Sequence, residues 1–219
     1  VADLEHDSQL RAVIITGAGS ESFCSGLDLY EFSVRTSAEE ARSMQSFMTN
    51  TLMRLERLPV PVIAAINGYA LGGGSELAVA CDLRIADEHT RLGFVHAKNA
   101  LTTGWGASQR LLRLVGYARA LDILLTSRIL RAPELLAIGL ANRVAEAGSS
   151  LEQAIHYAQY ITQTAPRAVR GMKSLLRTGL NESFETVQDL ESELFPPLWE
   201  APEHVQSVEA YLKRDRKNS

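Results

Sequence analysis

The sequence predicts an α/β fold in which short apolar strands lead and helices trail, and three observations carry that prediction. Two compact apolar runs, in "RAVIITGAG" and "PVPVIAAINGYA", each end in a glycine-bearing turn, as the buried strands of a parallel sheet do. Between them, "SAEEARSMQSFMTNTLMRLERLP" sets Met44, Phe47, Met48, Leu52 and Leu55 at helical spacing. From "SLEQAIHYAQYITQTAP" to "VEAYLKR" the pattern is helical almost throughout. Such an order implies repeated strand and helix units with a helical C-terminal portion.

Taken in order, "VADLEHDSQL" reads as the tail of a helix, so a preceding portion is expected. Ala12 to Ile15 form the first strand, Gly17-Ala18-Gly19 its turn, and a loop follows. Ser37 caps the long helix, with acidic residues in its first turn, and Pro59 and Pro61 stop the segment. Val62 to Ile66 form the second strand, closed by an Asn67-Gly68 turn. Gly72, Gly73 and Gly74 then lead into a helix from Gly73 or Gly74 to about Ala80, since glycine is costly inside a helix and permissive at its start. "DLRIAD" and "TRLGF" read as a third strand and a short fourth one. After the loop "VHAKNALTTGWGA" come the helices "SQRLLRLVG", ended by Gly116, and "ARALDILLTS". "APELLAIGLANRVAE" is a helix stopped by Gly139 and followed by the strand-like Arg143 to Ala145. The expected organisation is a core over 1–146 and a helical region over 147–219, with no short-period repeat and no low-complexity linker.

With 219 residues and 46% hydrophobic content the chain can bury an ample core. A net charge of −4 gives no electrostatic support to nucleic-acid or membrane-surface binding. The basic cluster of Lys213, Arg214, Arg216 and Lys217 suits a solvated helix end, with contact to an anionic ligand or a neighbouring subunit as the alternative. Cys24 and Cys81 form no C-x-x-C pair, and no apolar stretch reaches the roughly 18 residues that span a membrane, so a soluble, cytoplasmic protein is expected.

Several chemistries drop out. "GAGSES" and "GGGSEL" leave the dinucleotide fingerprint incomplete, no phosphate-cradling P-loop exists, and no G-x-S-x-G elbow presents a serine nucleophile. The histidines His6, His89, His96, His156 and His204 form no H-x-x-x-H pair, and no metal is expected. What remains is a pair of alike segments, "IITGAGSESFCSGLDL" and "IAAINGYALGGGSEL", each a strand running into a glycine loop. Loops of two parallel strands that end at one sheet edge can aim two backbone N–H groups at one point, an oxyanion hole in outline.

These segments, with "PVPVIAAINGYALGGGSELAVACDLRIA", "SQRLLRLVG" and "APELLAIGLANRVAE", resemble the enoyl-CoA hydratase/isomerase family, the crotonases, from about Arg11 to Glu146 and more weakly through the helical tail. The resemblance implies a crotonase-type spiral of ββα units and a helical C-terminal portion that builds a homotrimer or a dimer of trimers. It also implies an acyl-CoA thioester substrate turned to its enolate, with coenzyme A as part of the substrate and no separate cofactor. The oxyanion donors would be the N–H groups of Leu27 and Gly73. Gly72 and Gly74 would let the ligand approach, Asp28 and Leu29 would border the CoA path, Gly104 would help position an attacking water, and Trp105 would narrow the pocket.

Glu76, three residues beyond Gly73, would work at the thioester α and β carbons, and Glu76→Gln is expected to lower turnover while leaving folding intact. Where the hydratases carry a second glutamate, alignment on Gly93 and "QRL" places His96. Hydration is served by two carboxylates sharing proton duties, whereas decarboxylation of a malonyl-type CoA needs only the enolate hole and a proton source. "FVH" followed by "GWG" resembles the ethylmalonyl/methylmalonyl-CoA decarboxylase branch. Hydration, decarboxylation and a non-catalytic acyl-CoA-binding or assembly subunit therefore stand side by side.

Overall fold

The structure, a computed structural model, describes residues 1–28, 30 and 37–218. It divides into two compact units, Val1–Gln159 and Tyr160–Ser219.

After a short α1 (Ala2–Glu5), the first unit repeats one pattern of two strands and a helix. β1 (Val13–Thr16) and β2 (Ser22–Cys24) precede α2 (Ala38–Glu56). β3 (Val62–Ile66) and β4 (Tyr69–Leu71) precede α3 (Gly73–Ala80). β5 (Leu83–Asp87) and β6 (Arg91–Gly93) precede α4 (Ala107–Val115). The leading strands pair in parallel with β8 (Arg143–Ala145) in the order β1-β3-β5-β8. The second strands form another sheet, β2-β4-β6, closed by the antiparallel β7 (Leu130–Arg131). The strand pairing thus displays the expected ββα spiral, completed by α5 (Tyr117–Thr126), α6 (Ala132–Ala137) and the start of α7 (Ser150–Thr162).

β3 lies inside its sheet, and all five of its residues are buried. Val62, Ala64 and Ile66 alternate onto the cluster that holds Leu52 and Leu55 of α2, Ala78 and Val79 of α3, and Leu111 of α4. Burying one such large apolar side chain contributes about 1.5–3 kcal/mol, so this strand is the anchor from which the site loops emerge. β1 differs from the expected buried run: each of its residues is only half-buried, because it lies at a sheet edge. The expected loop after Gly19 contains β2, and the second turn runs directly into β4. Ser37 caps α2 as its sequence implies, accepting the Glu40 N–H while the Glu40 carboxylate returns to the Ser37 N–H.

The second unit holds the end of α7 with α8 (Pro166–Gly179), α9 (Phe184–Trp199) and α10 (Pro202–Asn218). Ser183 caps α9 by accepting the Thr186 N–H. Among the described residues no helix is long and apolar enough to cross a membrane.

Candidate active site

The two segments expected to supply backbone donors meet at the start of α3. A Cβ added to Gly26, the residue before Leu27, would stand 3.0 Å from the Gly73 nitrogen and 3.0 Å from the Leu71 carbonyl oxygen. Asn67 ties the neighbouring turns together: its side-chain amide donates to the Gly17 and Gly19 carbonyls, and its oxygen accepts the Gly17 N–H. The Gly72 N–H donates to the Gly93 carbonyl at 2.9 Å, and buried Ser75 bridges the Ala70 and Gly93 carbonyls through its hydroxyl. These three contacts lock the start of α3 onto β4 and β6. Among the described residues, neither the Leu27 nor the Gly73 N–H has a hydrogen-bond partner. Asp28 accepts the Tyr30 N–H, and Leu29 lies outside the described residues.

At two of the three glycines the space that a Cβ would take is already filled from within the fold. Gly72 has a φ of +53°, a conformation that favours glycine. A Cβ on Gly73 would meet the Trp105 ring at 2.2 Å, and one on Gly74 would meet the Cys24 carbonyl oxygen at 1.8 Å. The space at Gly74, expected to admit a ligand, is filled by β2, and that at Gly73 by the Trp105 indole.

Glu76 on α3 is 1% exposed, and its carboxylate lies in a cradle of donors. Oε1 accepts the Gly104 N–H at 3.1 Å and faces His96 Nε2 at 3.0 Å. Oε2 accepts the N–H groups of Trp105 at 2.8 Å and Ala107 at 3.0 Å. Ala107 opens α4 behind a left-handed Gly106, so the carboxylate caps a helix N-terminus, where negative charge is favoured. Burial pushes the Glu76 carboxyl up, while His96 and the three backbone donors pull it down; the donors prevail, and it sits below the ordinary carboxylate range.

His96 follows β6 through fully buried Phe94 and opens a single 3-10 turn, Ala97–Asn99. Its carbonyl accepts the Asn99 and Leu101 N–H groups, which fixes the backbone under the ring. The ring is largely enclosed, with 14% of the side chain exposed, and Nδ1 is buried with no partner among the described residues. Trp105 is pinned at both ends: its backbone N–H on Glu76, and its indole N–H on Met44 Sδ at 3.3 Å.

The cradle has a second support that the sequence reading missed. Arg110 of α4 donates to the Trp105 carbonyl and forms a two-bond pair with Glu56 of α2, at 2.8 and 2.9 Å. Thr49 of α2 donates to the Gly104 carbonyl at 3.3 Å. Glycine before a helix, as in "GWGASQR", is the legible signal of an anion-holding helix start, but the anion turns out to be Glu76 itself. Glu56→Gln replaces one charge-assisted bond of the fork with an amide that cannot accept it. The expected loss is about 1.5–3 kcal/mol of stability, read by thermal unfolding, together with a several-fold fall in turnover as Gly104 and Trp105 loosen. Unchanged melting would show that the pair is not holding the segment. Among the described residues no group of three or more His, Cys, Asp or Glu side chains could hold a metal ion.

Comparison with known proteins gives a consistent picture. The family model described as enoyl-CoA hydratase/isomerase matches residues 1–218. The short-chain-enoyl-CoA hydratase of Clostridium acetobutylicum is 36% identical over 214 residues, which cover 98% of this chain and 82% of that protein. The ethylmalonyl-CoA decarboxylase of Rattus norvegicus is 32% identical over 211 residues, 95% of this chain and 70% of that protein. A crystal structure of an enoyl-CoA hydratase from Bacillus anthracis superposes with a TM-score of 0.92 at 36% identity, covering 97% of this chain and 82% of that one.

Proposed function

Because the chain belongs to the enoyl-CoA hydratase/isomerase family, we propose that it is an acyl-CoA lyase that seats a thioester carbonyl between the N–H groups of Leu27 and Gly73 and stabilises the enolate. The observation that carries this reading is the pair of N–H groups, Leu27 next to Gly26 and Gly73 at the start of α3, that have no partner among the described residues. The oxygen gains charge as the enolate forms, and donors fixed in advance stabilise it without reorganising; loss of one typically costs about 3–4 kcal/mol of barrier.

Decarboxylation is the second reading, favoured by the site's composition. The one carboxylate of the cradle is already engaged, and its partner is His96 rather than a second glutamate. A malonyl-type CoA loses CO₂ and leaves the enolate in the hole, with no carboxylate pair needed. The deciding experiment incubates the protein with crotonyl-CoA and, separately, with ethylmalonyl- and methylmalonyl-CoA, following thioester absorbance and CO₂ release. Hydration of the first or CO₂ from the others assigns the reaction. Tight CoA binding with no product from any of them would make the chain an acyl-CoA-binding subunit and end the lyase reading.

The helical second unit supports assembly into a trimer or a dimer of trimers, since Phe184, Phe195 and Trp199 are all more than half exposed. Sedimentation giving a monomer at micromolar concentration would oppose that assembly. The cysteines are free, in keeping with a cytoplasmic site of action.

A further inference from the structure

An ionised carboxylate has about four lone-pair positions, two on each oxygen. At Glu76 each oxygen faces two donors: His96 and Gly104 on Oε1, Trp105 and Ala107 on Oε2. Three of the four are main-chain N–H groups, which cannot turn away to free a lone pair. Taking a proton from a substrate or water would oblige at least one of these buried donors to lose its partner. Beside this saturated group stands an imidazole with one nitrogen on the carboxylate and the other enclosed and unpartnered among the described residues.

We infer that Glu76 is a positioning residue, which fixes the His96 ring and the segment from Gly104 to Ala107, and that His96 is the side chain that exchanges the proton with the substrate. The inference rests on the acyl-CoA enolate reading of the site and reverses the division of labour expected for a glutamate at this place. In a decarboxylation, the bond to the carboxylate breaks, CO₂ departs, and the electron pair becomes the thioester enolate. One proton then passes from the imidazolium to the α-carbon, where that pair forms the new C–H bond, and the neutral ring is reprotonated by water. In the neutral ring Nε2 carries the hydrogen, because the saturated carboxylate only accepts and Nδ1 meets no acceptor among the described residues.

Ring-nitrogen NMR on protein labelled with 15N-histidine tests the positioning without turnover, H96Q identifying the His96 signals among the five histidines of the chain. At a pH high enough for the ring to be neutral, the Nε2–H tautomer is expected in the wild type, with a shift to a tautomer mixture in E76Q. The Nδ1–H tautomer in the wild type, or an unaltered ring in E76Q, overturns the inference; should E76Q not fold, the wild-type spectrum decides. With an acyl-CoA that the wild type turns over, H96Q should lower kcat at least tenfold, with KM within about threefold and melting unchanged. H96Q at wild-type kcat overturns the role of His96. Should the wild type turn over no acyl-CoA, the lyase reading fails and the NMR result still stands or falls alone.

Discussion

Gly74→Ala lowers the unfolding midpoint by roughly 6–12 °C, an effect that follows from a close approach inside the fold rather than from ligand binding. The added Cβ would stand 1.8 Å from the Cys24 carbonyl oxygen and 2.6 Å from its carbon, far inside van der Waals contact. The obstacle is main chain at the end of β2, so no side-chain rotation relieves it: β2 or α3 must move. Overpacking costs typically about 1–3 kcal/mol, and a backbone obstacle puts this substitution at the upper end. For a chain of this size each kcal/mol corresponds to roughly 2–4 °C. Gly139→Ala is the internal control. Gly139, unlike Gly74, has a positive φ, +76°, and nothing within 4 Å of its added Cβ, so there a backbone penalty of about 1–2 kcal/mol applies without any close approach. A Gly74→Ala loss no larger than that of Gly139→Ala would show that the approach of β2 to α3 costs no more than an isolated backbone penalty. Since β2 leads into Gly26 and Leu27, any residual folded Gly74→Ala protein should also turn over poorly, its two N–H groups no longer aimed together.

How far the sequence could be read depends on the length of each signal. β3 was legible residue for residue, because five consecutive apolar residues between Pro61 and Asn67 admit one interpretation. α3 was legible from its glycines, and α2 from Ser37 and its apolar stripe. β2, β4 and β7 were not: with two or three residues each they are too short to show a period, and β2 pairs with β4 through an irregular register. The same brevity hid the repeat, since each ββα unit is recognised only when its second strand is found. At the site, the family resemblance placed Glu76 and His96 together, and their atoms are 3.0 Å apart. It could not reveal what Glu76 does there. Three of its partners are backbone N–H groups at Gly104, Trp105 and Ala107, 28 to 31 residues away, and main-chain donors leave no residue-type signature.

That cradle also reverses the expectation that Glu76→Gln leaves folding intact. A glutamine is the size of a glutamate, but its amide offers one accepting oxygen and one NH₂ that only donates. Whichever way it turns, two of the four donors around position 76 face the NH₂ group, and at least one of them is a buried main-chain N–H. Each buried donor left without an acceptor costs about 1–3 kcal/mol, so E76Q should lose about 2–6 kcal/mol at neutral pH, a midpoint drop on the order of 10 °C. The pH dependence fixes the cause. The carboxyl lies below its ordinary value in the folded protein, because the donors outweigh burial. Its contribution is therefore fully present above the unfolded-state value and is lost as pH falls through the lower folded one. Once protonated, the glutamic acid carries its own hydrogen into the cradle and conflicts with the donors as the amide does. Thermal unfolding of wild type and E76Q from neutral to acidic pH should therefore show a gap that is widest at neutrality and narrows below the ordinary carboxylate range. A gap that stays constant across that range would mean that the Glu76 charge does not hold the cradle together, whereas E76Q melting with the wild type at neutral pH would leave the carboxylate free for chemistry of its own.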